Sequence, residues 1–181
     1  MEHLAILVPL KGFDVGKSRL RQGGVAKVDE LARALALGVF QASRPRPLFV
    51  ASESPDVTTF ALEYGAEVIE SSATGLNEAV THAYHQLGER FQRLVIAHGD
   101  IRNPHGLGDF EPRDGVTVIT DARRTGTNVL ALPTGVDFTF HFGADSAAAH
   151  QREAQRLGIE VHMDFESPWR FDVDEPGDLL R

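Results

Sequence analysis

Leu4-Ala5-Ile6-Leu7-Val8-Pro9-Leu10 is a continuous apolar run, the pattern of a strand covered on both faces of a parallel sheet. After Asp29-Glu30, apolar residues recur at Leu31, Ala32, Leu35, Ala36, Val39 and Phe40. That three-and-four spacing predicts a helix with one buried stripe, closed before Pro45. Leu48–Ala51, Ala66–Ile69 and Leu94–Ala97 predict three further short strands, separated by helical stretches near 56–64 and 77–90. Strands alternating with helices predict a mostly parallel sheet flanked by helices, an α/β fold. Beyond residue 100, Val116–Thr120 and Asn128–Leu132 predict strands, Asp145–Leu157 a helix, and Ile159–Met163 a last extended stretch. No fixed-period repeat and no low-complexity linker interrupts this order, so residues 1–181 are expected to form one domain.

Composition narrows the function. Asp and Glu number 26 against 18 Lys and Arg, a formal net charge of −8, which argues against broad binding to nucleic acid or an anionic membrane surface. The chain has no cysteine, which removes thiolate catalysis and Cys-ligated metal centres from consideration. No apolar stretch reaches the ~20 residues of a membrane span and no basic leader opens the chain, so a cytoplasmic enzyme is expected.

Against this acidic background, Lys11, Lys17 and Arg19 place three cations on one short loop at the end of the first strand, where open α/β sheets bind ligands. Gly16-Lys17-Ser18 resembles the end of a P-loop. However, Gly12 and Gly16 enclose three residues rather than four, Lys11 stands where a glycine belongs, and no helix is expected to follow. The loop therefore reads as a phosphate site of another kind, the alternative being a solvated basic loop.

Asp100 follows the strand Leu94–Ala97, where its carboxylate would aim into the same cleft. Magnesium takes few carboxylates and completes its sphere with water and phosphate oxygens. A second carboxylate could come from Asp172 or Asp174, which alternate in Phe171-Asp172-Val173-Asp174-Glu175-Pro176. Asp172 reads as the ligand and Asp174 as the N-cap of a last helix. Arg124-Thr125-Gly126-Thr127-Asn128 and Phe142-Gly143-Ala144-Asp145-Ser146 each open an element with glycine beside hydroxyls. Such starts suit an anion, but they also suit ordinary turns and caps. The eight histidines show no metal-site spacing, and His82 and His85 read as surface residues.

Taken in order, Val8-Pro9-Leu10-Lys11…Lys17-Ser18-Arg19-Leu20, Gly75-Leu76-Asn77-Glu78-Ala79, Gly99-Asp100-Ile101, Gly126-Thr127-Asn128-Val129-Leu130, Phe142–Ser146…His150 and Asp172–Leu179 resemble the 2-phospho-L-lactate or phosphoenolpyruvate guanylyltransferases of deazaflavin coenzyme biosynthesis. These are small relatives of the nucleotide-sugar pyrophosphorylases. The resemblance implies a single-domain, Rossmann-like nucleotidyltransferase fold of the GT-A-like kind. It implies transfer of GMP from GTP to a phosphorylated three-carbon acid with release of pyrophosphate, and Mg2+ held by Asp100 and Asp172. It further implies an acceptor gripped by Thr127, Gly143 and Ser146, GTP phosphates on Lys11, Lys17 and Arg19, and the guanosine beside Gly75 and Asn77. Hand-off of a labile phosphoanhydride product to the next pathway enzyme is an accompanying expectation, and the sequence leaves the oligomeric state open.

One stretch departs from the family pattern. Where Leu-Pro and apolar residues usually follow the metal aspartate, this chain has Ile101-Arg102-Asn103-Pro104-His105. One reading has Arg102, Asn103 or His141 meeting an extra hydroxyl or charge, as of 3-phospho-D-glycerate; the other is a surface change without consequence. Two rivals stand beside the main reading: a sugar-1-phosphate or molybdopterin-type nucleotidyltransferase, whose glycine-rich loop is missing between Leu10 and Leu20, and a non-catalytic nucleotide-binding relative.

Overall fold

The computed structural model describes residues 2–70 and 75–180. A seven-stranded sheet runs through it in the order β3-β2-β1-β4-β6-β5-β7, formed by β1 (Glu2–Pro9), β2 (Leu48–Ser52), β3 (Glu67–Glu70), β4 (Phe91–Ala97), β5 (Val116–Thr120), β6 (Thr127–Pro133) and β7 (Val161–Asp164). β3, β2, β1 and β4 pair in parallel, and β6 runs antiparallel to both β4 and β5, with β7 parallel to β5 at the edge. The sheet is therefore mostly parallel with one reversed strand.

The continuous apolar run of β1 serves two cores at once. Ala5 and Leu7 pack into one cluster with Val80, Ala83, Tyr84 and Leu87 of α4 (Leu76–Gly88) and Ala147 and Ala154 of α5 (Ser146–Arg156). Leu4, Ile6 and Val8 face the other side, against Ala36, Val39 and Phe40 of α2 (Val28–Ala42) and Val57, Phe60 and Ala61 of α3 (Pro55–Glu63). Because successive strand side chains point to opposite faces, a strand between two helical layers has no wet side and no reason to alternate. No described helix is long and apolar enough to cross a membrane.

Two features depart from the sequence expectation. A short helix α1 (Ser18–Gln22) follows the first loop where none was expected; at five residues it is too short to show a periodic stripe. The chain's end forms a 3-10 turn at Pro176–Leu180, and Asp174 does not cap it. Instead Asp178 Oδ2 accepts the main-chain N–H groups of Asp174 (3.1 Å) and Glu175 (2.8 Å), which frees the Asp174 carboxylate for other partners.

The contact that matters most for the site joins distant parts of the chain. Ile101 and Asp172 form an antiparallel bridge, with Arg102 N–H donating to Phe171 O (2.8 Å) and Val173 N–H to Asp100 O (3.1 Å). The C-terminal segment is thereby laid against the carboxyl end of β4.

Candidate active site

A cleft of about 680 Å³ opens at the carboxyl ends of β1 and β4, lined by the first loop, His98–Asp100, Asp121–Asn128, Gly143–Ser146, Asp172 and Asp174. This lies within the size range of small-molecule sites, roughly 300–1,000 Å³, and at the edge of the sheet where α/β proteins bind ligands. Lys11, Lys17 and Arg19 all line it. Lys17 sits at the start of α1 with φ 60°, a left-handed backbone that costs a non-glycine residue of order 1 kcal/mol and is held only by its surroundings. Its ammonium is bonded to Asp100 and lies 3.7 Å from Asp174 Oδ1. Arg19 pairs with Asp174 at 2.7 Å and Glu175 at 3.7 Å. Among the described residues Lys11 makes no ion pair, and it stands exposed at the cleft.

The bridge between Ile101 and Asp172 carries the two expected metal ligands to one place. Burial, and next the Asp100 carboxylate, push the Asp172 acid up to about 6, against the pull of its own main-chain hydrogen bond, the Lys17 ammonium and the Asn128 amide. Asp100 Oδ1 is buried without a hydrogen-bond partner. Two carboxylates near enough to repel each other, one with an unsatisfied oxygen, share only the Lys17 ammonium among the described residues, and the remaining negative charge suits a hard divalent cation. No group of three or more His, Asp or Glu side chains among the described residues is arranged to hold a metal ion.

The opposite wall carries the expected acceptor residues. Thr127 is buried at the start of β6, Ser146 is buried at the first turn of α5, and Gly143, exposed at φ 129°, forms the turn before it. That backbone conformation is available to glycine and costly to any other residue. Gly126 permits a second close approach, since a Cβ there would stand 2.8 Å from Asp121 Oδ2, the carboxylate whose other oxygen accepts the Thr125 N–H (2.8 Å).

Several expected site residues have other work. Both amide atoms of Asn77 are occupied by the main chain of Phe142, Oδ1 accepting its N–H at 2.6 Å and Nδ2 donating to its O at 3.1 Å. Asn77 clamps the acceptor-side loop rather than facing the cleft. Gly75 begins α4 and does not line the cleft; its neighbour Leu76 does. In the departing stretch, Arg102 donates to Asp178 O (3.2 Å) and lines a smaller cavity of about 90 Å³. Asn103, His105 and His141 do not line the cleft, so the polar substitution after Asp100 places none of these side chains on its wall.

Three residues assigned no role from the sequence, His98, Arg123 and Asn128, complete the wall, and a fourth, His150, lies behind it. His98 lines the cleft with Nε2 buried and unpartnered, and burial holds its pKa below the usual value, with Asp100 opposing and Lys17 adding to the shift. Arg123 lines both cavities and pairs with Glu175 at 2.7 Å. Asn128 lies between Asp172 and the Trp169 carbonyl, to which it donates at 3.1 Å. His150, fully buried, joins Thr127 to the loop before α5. Only the order of short motifs pointed to Asn128 and His150; no spacing rule singled them out.

A family model described as "Guanylyl transferase CofC like" matches residues 4–181. The chain belongs to this family. It is 35% identical to a phosphoenolpyruvate guanylyltransferase from Salinispora arenicola over 96% of this chain and 85% of that protein. It is 28% identical to a 3-phospho-D-glycerate guanylyltransferase from Colwellia psychrerythraea, over 96% of this chain and 88% of the relative. Its fold is shared with a nucleotidyl transferase from Methanothermobacter, with TM-score 0.71 and 12% identity over 100% of this chain and 96% of that one. The expected GT-A-like nucleotidyltransferase architecture and the guanylyltransferase family assignment are thus both met.

Proposed function

We propose that the protein transfers GMP from GTP to a phosphorylated three-carbon acid, phosphoenolpyruvate first among the candidates, and releases pyrophosphate, as a step of deazaflavin coenzyme biosynthesis. The observation that carries this is the bridge between Ile101 and Asp172, which brings the Asp172 carboxylate near that of Asp100 beside Lys17, in one cleft with Thr127, Gly143 and Ser146. Asp100 and Asp172 would hold Mg2+, which when bound offsets the charge of the nucleotide phosphates and of the departing pyrophosphate.

The rest falls to the chain's own groups. The acceptor phosphate is already an anionic nucleophile, so no side chain has to remove a proton from it, and the protein's task is to hold two anions in line. Lys11 and Lys17 are suited to the triphosphate, Arg19 and Arg123 lie at the same rim, and the hydroxyls of Thr127 and Ser146 with the open backbone at Gly143 suit the acid. In the structure Lys17 and Arg19 are engaged by Asp100, Asp174 and Glu175, so an entering triphosphate meets the exposed Lys11 directly and displaces carboxylates from the other two cations.

The test is magnesium-dependent pyrophosphate release with GTP and an acid, in the wild type and in Asp100→Asn and Asp172→Asn. Folded variants that lose at least about a hundredfold in turnover support the assignment; folded variants with intact turnover refute it.

A further inference from the structure

A histidine on the buried stripe of a helix is ordinarily a packed core residue with one nitrogen satisfied. His150 of α5 is fully buried and both of its nitrogens are engaged. Nε2 lies 3.0 Å from the main-chain N of His141. A main-chain N–H can only donate, so Nε2 must present its lone pair, and the proton of the neutral ring must sit on Nδ1. Nδ1 is 3.0 Å from Thr127 Oγ1, so the threonine oxygen accepts. A hydroxyl that accepts from the protein in this way keeps its own proton, and among the described residues that proton has no other acceptor. Thr127 lines the cleft.

We infer that His150 is a positioning residue for the acid: it fixes Thr127 as a hydrogen-bond donor toward an anionic oxygen of the acceptor. The inference rests on the acceptor reading given above.

The surroundings keep this arrangement neutral. The ring packs against Phe142 at 4.8 Å and Phe138 at 6.0 Å between centroids. The titratable groups that bear on it are His141, His98 and Glu153. Glu153 is itself occupied by Arg156 at 2.7 Å and the Thr139 N–H at 2.9 Å. An imidazolium would lose the acceptor that holds the His141 N–H, and burial then disfavours the charge as well. Orientation of Thr127 is therefore independent of pH across the neutral range.

Two readouts test the inference. Nitrogen-15 NMR of the imidazoles in the protein without substrate should show His150 neutral with its proton on Nδ1 at pH 7; an Nε2–H tautomer or an imidazolium overturns it. The second readout uses two amides of different reach. In His150→Asn the amide N–H can replace Nδ1–H, and KM for the acid should stay within about threefold of wild type. In His150→Gln the amide reaches the Nε2 position instead, and KM for the acid should rise about tenfold, with KM for GTP unchanged, the scale of one misdirected hydrogen bond. In a Thr127→Val background His150→Gln should add nothing further, because the hydroxyl it directs is gone. Equal losses in both amide variants, a parallel rise in KM for GTP, or additive effects would mean a packing role and overturn the inference. Absence of turnover with phosphoenolpyruvate, 2-phospho-L-lactate and 3-phospho-D-glycerate alike would refute the acceptor reading instead, and the substrate-free tautomer measurement separates that failure from this one.

Discussion

Asp172→Asn should make the metal-free protein more stable while abolishing its activity. Burial and the Asp100 carboxylate hold the Asp172 acid at about 6, where 3.8 is ordinary, so at pH 7 the folded chain keeps ionised a group that folding penalises. At ~1.4 kcal/mol per pKa unit the upper figure is about 3 kcal/mol, and solvent screening of an incompletely buried carboxylate brings it to roughly 1–3 kcal/mol. Asparagine has nearly the same shape and no charge, and it can still accept from Asn128. For a chain of this size each kcal/mol moves Tm by ~2–4 °C, so a rise of about 2–12 °C is expected. The sign follows from the raised value: the penalty is complete above about pH 6 and disappears as the pH falls toward 4. The gap between variant and wild type should therefore narrow to about half, roughly 0.5–1.6 kcal/mol, at pH 5, and to a few tenths of a kcal/mol near pH 4. Thermal and urea unfolding in excess chelator at pH 7 and pH 5 measure both effects. Adding Mg2+ should stabilise the wild type and close the gap from the other side. A variant no more stable than wild type in chelator at pH 7 would refute the claim that burial and the Asp100 carboxylate together penalise the Asp172 charge.

Other consequences are independent of that pair. Asn77→Ala removes two hydrogen bonds from the Phe142 main chain and should raise KM for the acid about tenfold or more with little change in KM for GTP, as steady-state kinetics would show. Gly108→Ala would place a Cβ 2.0 Å from the Arg44 carbonyl oxygen, a backbone atom that cannot swing aside, and should cost about 2–3 kcal/mol in denaturant unfolding. His150, held down to about 3 mainly by burial, contributes stability that is complete above pH 6.5 and is lost at ~1.4 kcal/mol per pH unit as acid is added toward pH 3. Unfolding in the Asp172→Asn background, where the opposing carboxylate effect is gone, should show this slope, and His150→Gln should flatten it.

Strand and helix order was legible because the buried strands show as unbroken apolar runs and the longer helices as three-and-four stripes. The unbroken run Leu4–Val8 is buried on two faces, and the Leu31–Phe40 stripe meets one of them. The short helix α1 left no such mark, since five residues make little more than one turn and its start is held by a strained Lys17. Alternation put Asp172 and Asp174 on one face and could not show that Asp100–Arg102 pairs with Phe171–Val173, a contact across some seventy residues of chain. The placing of Asn77 beside the guanosine came from the family resemblance alone; in the structure both of its amide atoms are engaged by the Phe142 main chain. His150 illustrates the converse. A buried histidine is usually packing, and only its two partners, each on a different segment, give it a further role.

The most direct measurement is pyrophosphate release by the purified protein with GTP and Mg2+, run side by side with phosphoenolpyruvate, 2-phospho-L-lactate and 3-phospho-D-glycerate. The account predicts release that requires one of these acids, with phosphoenolpyruvate the best of the three. Folded protein that binds GTP yet releases no pyrophosphate with any of them would contradict it.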